Sequence, residues 1–282
     1  MSSSLQGVRD QCESSADAIR WACILEATAP KAGNVFPGRR FPDLDYRDFV
    51  SAAEITSGAF AKYPTSFSEA VFDAARTVAE QIGSNVNLGI LLLIGPLAQA
   101  DHQIATTPVD SKRWRNEVSI VLARMTSQDA RRLYQAINIA APGGMGQSDQ
   151  MDLAGPPPSR FLDAMKAASS YDRIARNYVN DFVDLFESIV PTLENSFLEF
   201  DDPLTAIERA HLSILAAEPD SLIGRKFGID VARDVQLRAQ FDHSDKTQRS
   251  SFDRFLRTGT IDLNGQPNRL NPGTTADLIA SG

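Results

Sequence analysis

The sequence predicts an all-α protein: one multi-helix globular domain around a buried central helix at about residues 85–104. Three observations carry this expectation. Apolar residues recur at spacings of three and four through most of the chain, the period of a helix with one buried face. The stretch GSNVNLGILLLIGPLA, Gly83 to Ala98, is apolar on nearly every side, so it is buried all round, yet it falls short of the roughly 20 residues that span a membrane. No βαβ alternation, GxGxxG, Walker A pattern or internal repeat is present.

Taken in order, residues 1–9 read as a flexible tail and residues 10–282 as the single domain, interrupted by a long Gly/Pro-rich loop at 141–158. Asp10 to Thr28 is the first helix, with apolar positions Ala18, Ala22 and Leu25 and neighbours Ile19 and Cys23. Glu26 falls in its last turn, where the helix dipole disfavours a carboxylate, and such local conflicts are expected at functional sites. Ala29 to Asp45, APKAGNVFPGRRFPDLD, has three prolines and two glycines and stays a loop. A structureless connection of this length is uncommon inside a compact domain and is often functional; this one holds Lys31, Asn34, Arg39, Arg40, Asp43 and Asp45. Helices follow at Tyr46–Phe60 and from a capping box at Ser66 to Glu69.

Ser84 or Asn85 caps the central helix, and Asn85 and Asn87 stand where unpaired N–H groups and a partial positive charge meet. Pro96 removes a donor, so the Leu92 carbonyl loses its helical partner. Ser111–Met125 and Thr126–Ala140 are two more helices. In the loop that follows, Asp149 and Asp152, three apart after a glycine-rich turn, could share a hard cation if locally helical. Phe161 to Leu193 reads as two helices or one broken helix, and Asp202-Pro203 caps a helix through Ala217. Pro219 to Gly228 is short and mixed, with Asp220, Arg225 and Lys226. Ile229–Phe241 and Lys246–Leu256 are helices, and the last segment is a loop feeding a final helical turn, with Thr274 capping toward Asp277.

With 282 residues and 43% hydrophobic content the chain can bury a sizeable core. A net charge of −8 excludes nucleic acid as an expected partner, because phosphate backbones are bound by surplus Lys and Arg, and a polyphosphate ligand would need a local basic cluster or a metal. Cys12 and Cys23 form no CxxC or cysteine–histidine group, so no zinc site is expected, and the polar N-terminus points to reduced cysteines and a cytoplasmic protein. His102, His211 and His243 are expected at the surface or satisfied in the core.

Four polar segments, in order and on this helical background, resemble the triphosphoribosyl-dephospho-CoA synthase family. Glu26-Ala-Thr-Ala-Pro-Lys31-Ala-Gly33-Asn34-Val is similar to its E…(S/T)PKPGxV signature. Asn85-Val-Asn87-Leu-Gly89 resembles NTHKG, Asp220-Ser-Leu-Ile-Gly-Arg225-Lys226-Phe-Gly228 resembles D(S/T)xxxR(K/H)xG, and Asn271-Pro-Gly273-Thr-Thr-Ala-Asp277-Leu-Ile resembles SPGGxADLLA. The chain departs by carrying Asn87 and Leu88 in place of the family's His and Lys, which marks a divergent branch.

The resemblance implies an ATP-dependent transferase that displaces adenine from ATP and joins triphosphoribose to dephospho-CoA, with Mg²⁺. Reaction at the anomeric carbon has an oxocarbenium-like transition state, which needs a carboxylate near the ring, an acid for the leaving group and cations on the triphosphate. Glu26, Asp43 and Asp220 are the expected catalytic residues. Lys31, Asn34, Arg39, Asn85, Asn87, Arg225, Lys226 and Gly273 are expected to bind substrate, and Glu26, Asp149 and Asp152 a metal. Without the family histidine, the acid falls to Asp149 or Asp220 if burial raises its pKa. Two alternatives stand beside this reading: a related ribosyl or phosphorylated-substrate enzyme of pterin-type C1 cofactor biosynthesis, and a non-catalytic helical nucleotide-binding protein.

Overall fold

A computed structural model describes residues 3–84, 86–104, 110–140, 159–261 and 267–282. Almost all regular structure in them is helical; the strands Thr260–Ile261 and Pro267–Asn268 form a single two-residue antiparallel pair. The all-α expectation holds. Residues 3–9, read as tail, include a short helix, α1 (Ser3–Arg9). Residues 141–158 lie outside the described residues, and Asn85, Asp149 and Asp152 with them.

The helices start and stop for local reasons. α2 (Ser15–Thr28) begins where the Ser14 hydroxyl accepts the Asp17 N–H. α3 (Tyr46–Lys62) opens on a complete capping box between Asp45 and Asp48. α4 (Phe67–Ile82) corrects the expected Ser66 box: Ser66 makes no side-chain cap, Glu69 pairs with Arg132, and the Phe67 N–H goes instead to Gln99 Oε1 at 2.9 Å. The central helix, α5 (Leu88–Gln103), is capped at Asn87 rather than at Ser84 or Asn85, and without a side-chain cap bond. It packs against α2, α4, α15 (Gly273–Ser281) and three further helices, α6 (Ser111–Ala123), α7 (Ser127–Ala140) and α9 (Arg173–Val179). The Leu92 carbonyl orphaned by Pro96 is met by the Tyr178 hydroxyl of α9 at 2.6 Å, so the defect in α5 becomes a tertiary tie.

Between α8 (Phe161–Ala168) and α10 (Val190–Glu199) the expected broken helix is α9, a break at Asp181 and Phe182, both at positive φ, and a π-helical turn, Leu185–Ile189. Asn177 bridges the break, its amide donating to the Arg173 carbonyl and its Oδ1 accepting the Leu185 N–H. α11 (Pro203–Ala217) is capped by Asp202 as expected. It joins two cores. One is large and includes α2 to α11 and α15; the other is small, with Ala32, Leu212, Leu215, Ile223, Ala232, Val235, Phe252, Leu256 and Leu270, and draws on α12 (Ser221–Phe227), α13 (Ile229–Arg238) and α14 (Lys246–Thr258). No helix among the described residues is long and apolar enough to cross a membrane.

The polar loop 29–45 is strapped onto the small core. Gly33, at φ +77, turns its N–H to Asp253 Oδ1 at 2.9 Å, and Arg257 donates to the Asn34 carbonyl at 2.6 Å. The Arg257 guanidinium also lies over the Phe36 and Phe41 rings.

Candidate active site

The end of α2, the loop after it, the start of α5, α12 and the start of α15 surround a cleft of about 810 Å³, within the range of small-molecule sites. One wall is apolar, with Ala75 and Val78 of α4, Tyr134 and Ile137 of α7, and Phe161 and Met165 of α8. The other wall is polar, with Glu26, Asn34, Asp43, Asn87, Arg225, Lys226, Asn271 and Asp277.

Glu26 is buried and pairs through Oε1 with Lys31 Nζ at 2.9 Å. Lys31 is wholly buried and also donates to the Glu26 carbonyl, so its ammonium supplies at the end of α2 the positive charge that the dipole calls for. The conflict read at Glu26 is thus resolved in tertiary structure. Lys31 lies behind the carboxylate and is not among the lining residues, so it holds Glu26 rather than facing a ligand.

Asn87 is buried and donates to Thr56 Oγ1 at 2.8 Å. Asn34 donates to Asn271 Oδ1 at 2.7 Å and leaves its own Oδ1 buried without a hydrogen bond among the described residues. The cations gather at one side. Arg225 is ion-paired with Asp172, and its Nε is buried with no partner among the described residues. Burial, then the charges of Arg225 and Arg269, push the Lys226 pKa down. Partial burial works against ionisation of Asp43, but Arg269 at 2.8 Å holds its carboxyl below the ordinary value.

Asp277 is the residue that sequence reasoning missed. It was read as the partner of a Thr274 cap; in the structure Ser221 donates to the Thr274 hydroxyl, and Asp277 reaches the start of α5. A Cβ on Gly89 would stand 2.0 Å from Asp277 Oδ2, so only glycine allows this approach, and the Ile90 N–H donates to the carboxylate. Burial, then the neighbouring Glu26 and Asp220 charges, raise its pKa well above the aspartate norm. The usable signal was a glycine one residue into an apolar helix together with the lone charged residue of the last helix.

The pattern of the ATP:dephospho-CoA triphosphoribosyl transferase family matches residues 12–282. The chain belongs to that family. It is accordingly a transferase, and the family reaction is triphosphoribosyl transfer from ATP to dephospho-CoA. A crystal structure described as that of a candidate triphosphoribosyl-dephospho-CoA synthase from Archaeoglobus fulgidus shares the fold, with TM-score 0.61 at 22% identity over 82% of this chain and 94% of that one. No curated protein matches the sequence.

Seen with the family, the expected site residues divide. Glu26, Asn34, Asp43, Asn87, Arg225, Lys226 and Gly273 line one cleft. Arg39 does not: it is exposed, and its backbone closes a tight turn with Phe36. Asp220 is buried outside the lining, and its structural duty uses both oxygens. Oδ1 accepts the Leu222 and Ile223 N–H groups at the start of α12, and Oδ2 accepts the Thr275 N–H and hydroxyl, each at 2.8 Å. It clamps α12 to α15, so the transferase does not present it as a catalytic group. His211 departs from expectation too: it is wholly buried with neither ring nitrogen bonded among the described residues, and burial, aided by Lys31, lowers its pKa to about 3.

Proposed function

We propose that this cleft carries out the family reaction, holding the triphosphate of ATP at Arg225, Lys226 and Arg269 and its ribose near Glu26. The observation that supports this most is the placement of Arg225, Lys226 and Glu26 on one cleft of a −8 chain, with Lys31 behind Glu26 and Arg269 close to Lys226. Such convergence in a single cleft favours catalysis over a scaffold role. Arg225 Nε and Arg269 Nη1, buried without partners among the described residues, are donors in want of oxygen acceptors, which phosphates supply. Asp43, already seated on Arg269, would yield that guanidinium as the phosphates arrive. The apolar wall beyond is suited to a base or to the thioalkyl arm of dephospho-CoA.

The residues fit Mg²⁺ only as a companion of ATP. Among the described residues no three His, Cys, Asp or Glu side chains are arranged to hold a metal ion, and Glu26 is occupied by Lys31, whereas Mg²⁺ needs no more than one or two carboxylates when phosphates complete its shell. Asp43, beside the cation cluster, would be its protein ligand, and bound there the ion would neutralise triphosphate charge. Glu26 would stabilise the positive charge that develops on the ribose ring as the bond to adenine lengthens.

The test is release of free adenine from ATP and Mg²⁺ with and without dephospho-CoA. Release that depends on dephospho-CoA is expected, and Lys226→Ala should raise the KM for ATP about tenfold. No adenine in the presence of both substrates overturns the reading.

A further inference from the structure

We infer that Asp277 is the proton donor to the departing adenine, the role left open by the absence of the family histidine. The inference rests on the reading of the cleft as the transfer site. A purine leaving as an anion from C1 of ribose is a poor leaving group, so a proton must reach the ring as the bond breaks. The donor must line the cleft, stand where its neutral form is favoured, and lie beside the carboxylate that faces the ribose.

Asp277 meets these conditions through its surroundings. It lines the cleft on the same wall as Glu26. Its carboxyl fits against α5 only because Gly89 has no side chain, and it is fixed there by the Ile90 N–H. The charged groups that face it are Glu26 from α2, Asp220 from the start of α12 and Arg225 from α12, with the Cys23 thiol of α2 alongside. Two carboxylates to one guanidinium, in a buried site, favour the neutral acid, and Arg225 is itself engaged by Asp172. Asp220 cannot take the role, because four donors occupy its two oxygens. Glu26 cannot, because its carboxylate is taken by the ion pair with buried Lys31. The pair Glu26 and Asp277 thus has the division of labour that glycosyl transfer requires, one carboxyl paired with a cation and one beside other carboxylates.

The step balances. The C1–N9 bond breaks with its electron pair moving to adenine, and the proton of the Asp277 carboxyl passes to a ring nitrogen of the base. The acceptor hydroxyl then bonds to C1 and gives its proton to the Asp277 carboxylate, which restores the acid. Adenine leaves neutral, and no further reactant is consumed.

The experiment compares ATP with N7-methylated ATP, whose base leaves as a neutral molecule with no proton. Asp277→Asn keeps the shape and the acceptor for Ile90. It is expected to lower kcat with ATP at least 100-fold with KM little changed, and to lower kcat with the methylated nucleotide less than 10-fold. In the wild-type enzyme, which needs no variant to fold, kcat with ATP should fall on the alkaline side and kcat with the methylated nucleotide should not. Equal losses on both nucleotides, an alkaline fall shared by both, or D277N turning over ATP at the wild-type rate would each overturn the assignment. Wild-type enzyme that releases no adenine from either would instead strike the reading of the cleft itself.

Discussion

Two acids in spatially adjacent segments, one buried and one half-buried at the cleft, behave in opposite ways. Asp220 and Asp277 both touch the α12–α15 region, and burial raises the pKa of each. Around Asp220 the protein has spent four donors on two oxygens, two of them from the N-terminus of α12 and two from Thr275. Around Asp277 it has spent one backbone N–H, removed a Cβ at Gly89, and set a second carboxylate, Glu26, nearby. The first arrangement satisfies a charge and locks two helices. The second leaves a carboxyl short of partners at the wall of a cleft. Buried acids are therefore not equal evidence of function: the count of donors separates a clamp from a reactive group.

The comparison can be broken hardest at Glu26. Glu26→Gln leaves the Lys31 ammonium buried and unpaired, and unfolding in urea should show a loss of about 3–5 kcal/mol. Adding Lys31→Met should return most of that stability without returning adenine release, which would show that the pair serves the cleft rather than the fold. A double variant as unstable as the single one would contradict this.

Asp220→Ala and Asp277→Asn should then cross. The first strands the Leu222, Ile223 and Thr275 donors and should cost about 3 kcal/mol, while enzyme that stays folded loses far less kcat than Asp277→Asn. The second should lose activity and not stability. The sign at Asp277 follows from its raised pKa. Between the ordinary aspartate value and the folded-state value the native protein binds the extra proton, so its contribution is full below the ordinary value and is lost as pH rises. D277N should therefore gain on the wild type as pH rises from about 4 toward neutrality. A pH-independent difference between the two would argue against a protonated Asp277.

His211 sharpens the contrast on the Lys31 side of the cleft. A histidine held near 3 in the fold and near its usual value when unfolded binds its proton only in the unfolded chain, so stability is lost as pH falls through that window. The drop from pH 7 to pH 5 should be about 2 kcal/mol, and His211→Leu should abolish that slope. The smallest effect is expected at Tyr178, distant in role from both acids. Tyr178→Phe orphans the Leu92 carbonyl beside Pro96 and should cost about 1–2 kcal/mol with kcat unchanged, setting the scale of a purely structural hydrogen bond.

Much of the fold was legible because its signals are local. The cap at Asp202 and the proline in α5 each act within four residues of their cause. Where a long-range partner competed, local reading failed. Ser66 lost its box because Gln99 answers the Phe67 N–H and Arg132 takes Glu69. Thr274 turned to Ser221 and freed Asp277. Arg39 looked like a ligand because a basic residue in a polar loop is ambiguous until its exposure is known.

The sequence alone determined the all-helical class, the buried central helix and the family. Periodicity, caps and motif order are properties of short stretches of chain. Tertiary structure alone decided which acids face the cleft. Asp220 met Thr275 across 55 residues, Asn34 met Asn271 across 237, and Asp277 met Gly89 and Glu26 from the far end of the chain. A carboxylate's role depends on the donors and charges within a few ångströms of it, and neither spacing nor composition records which distant segments fold back to supply them.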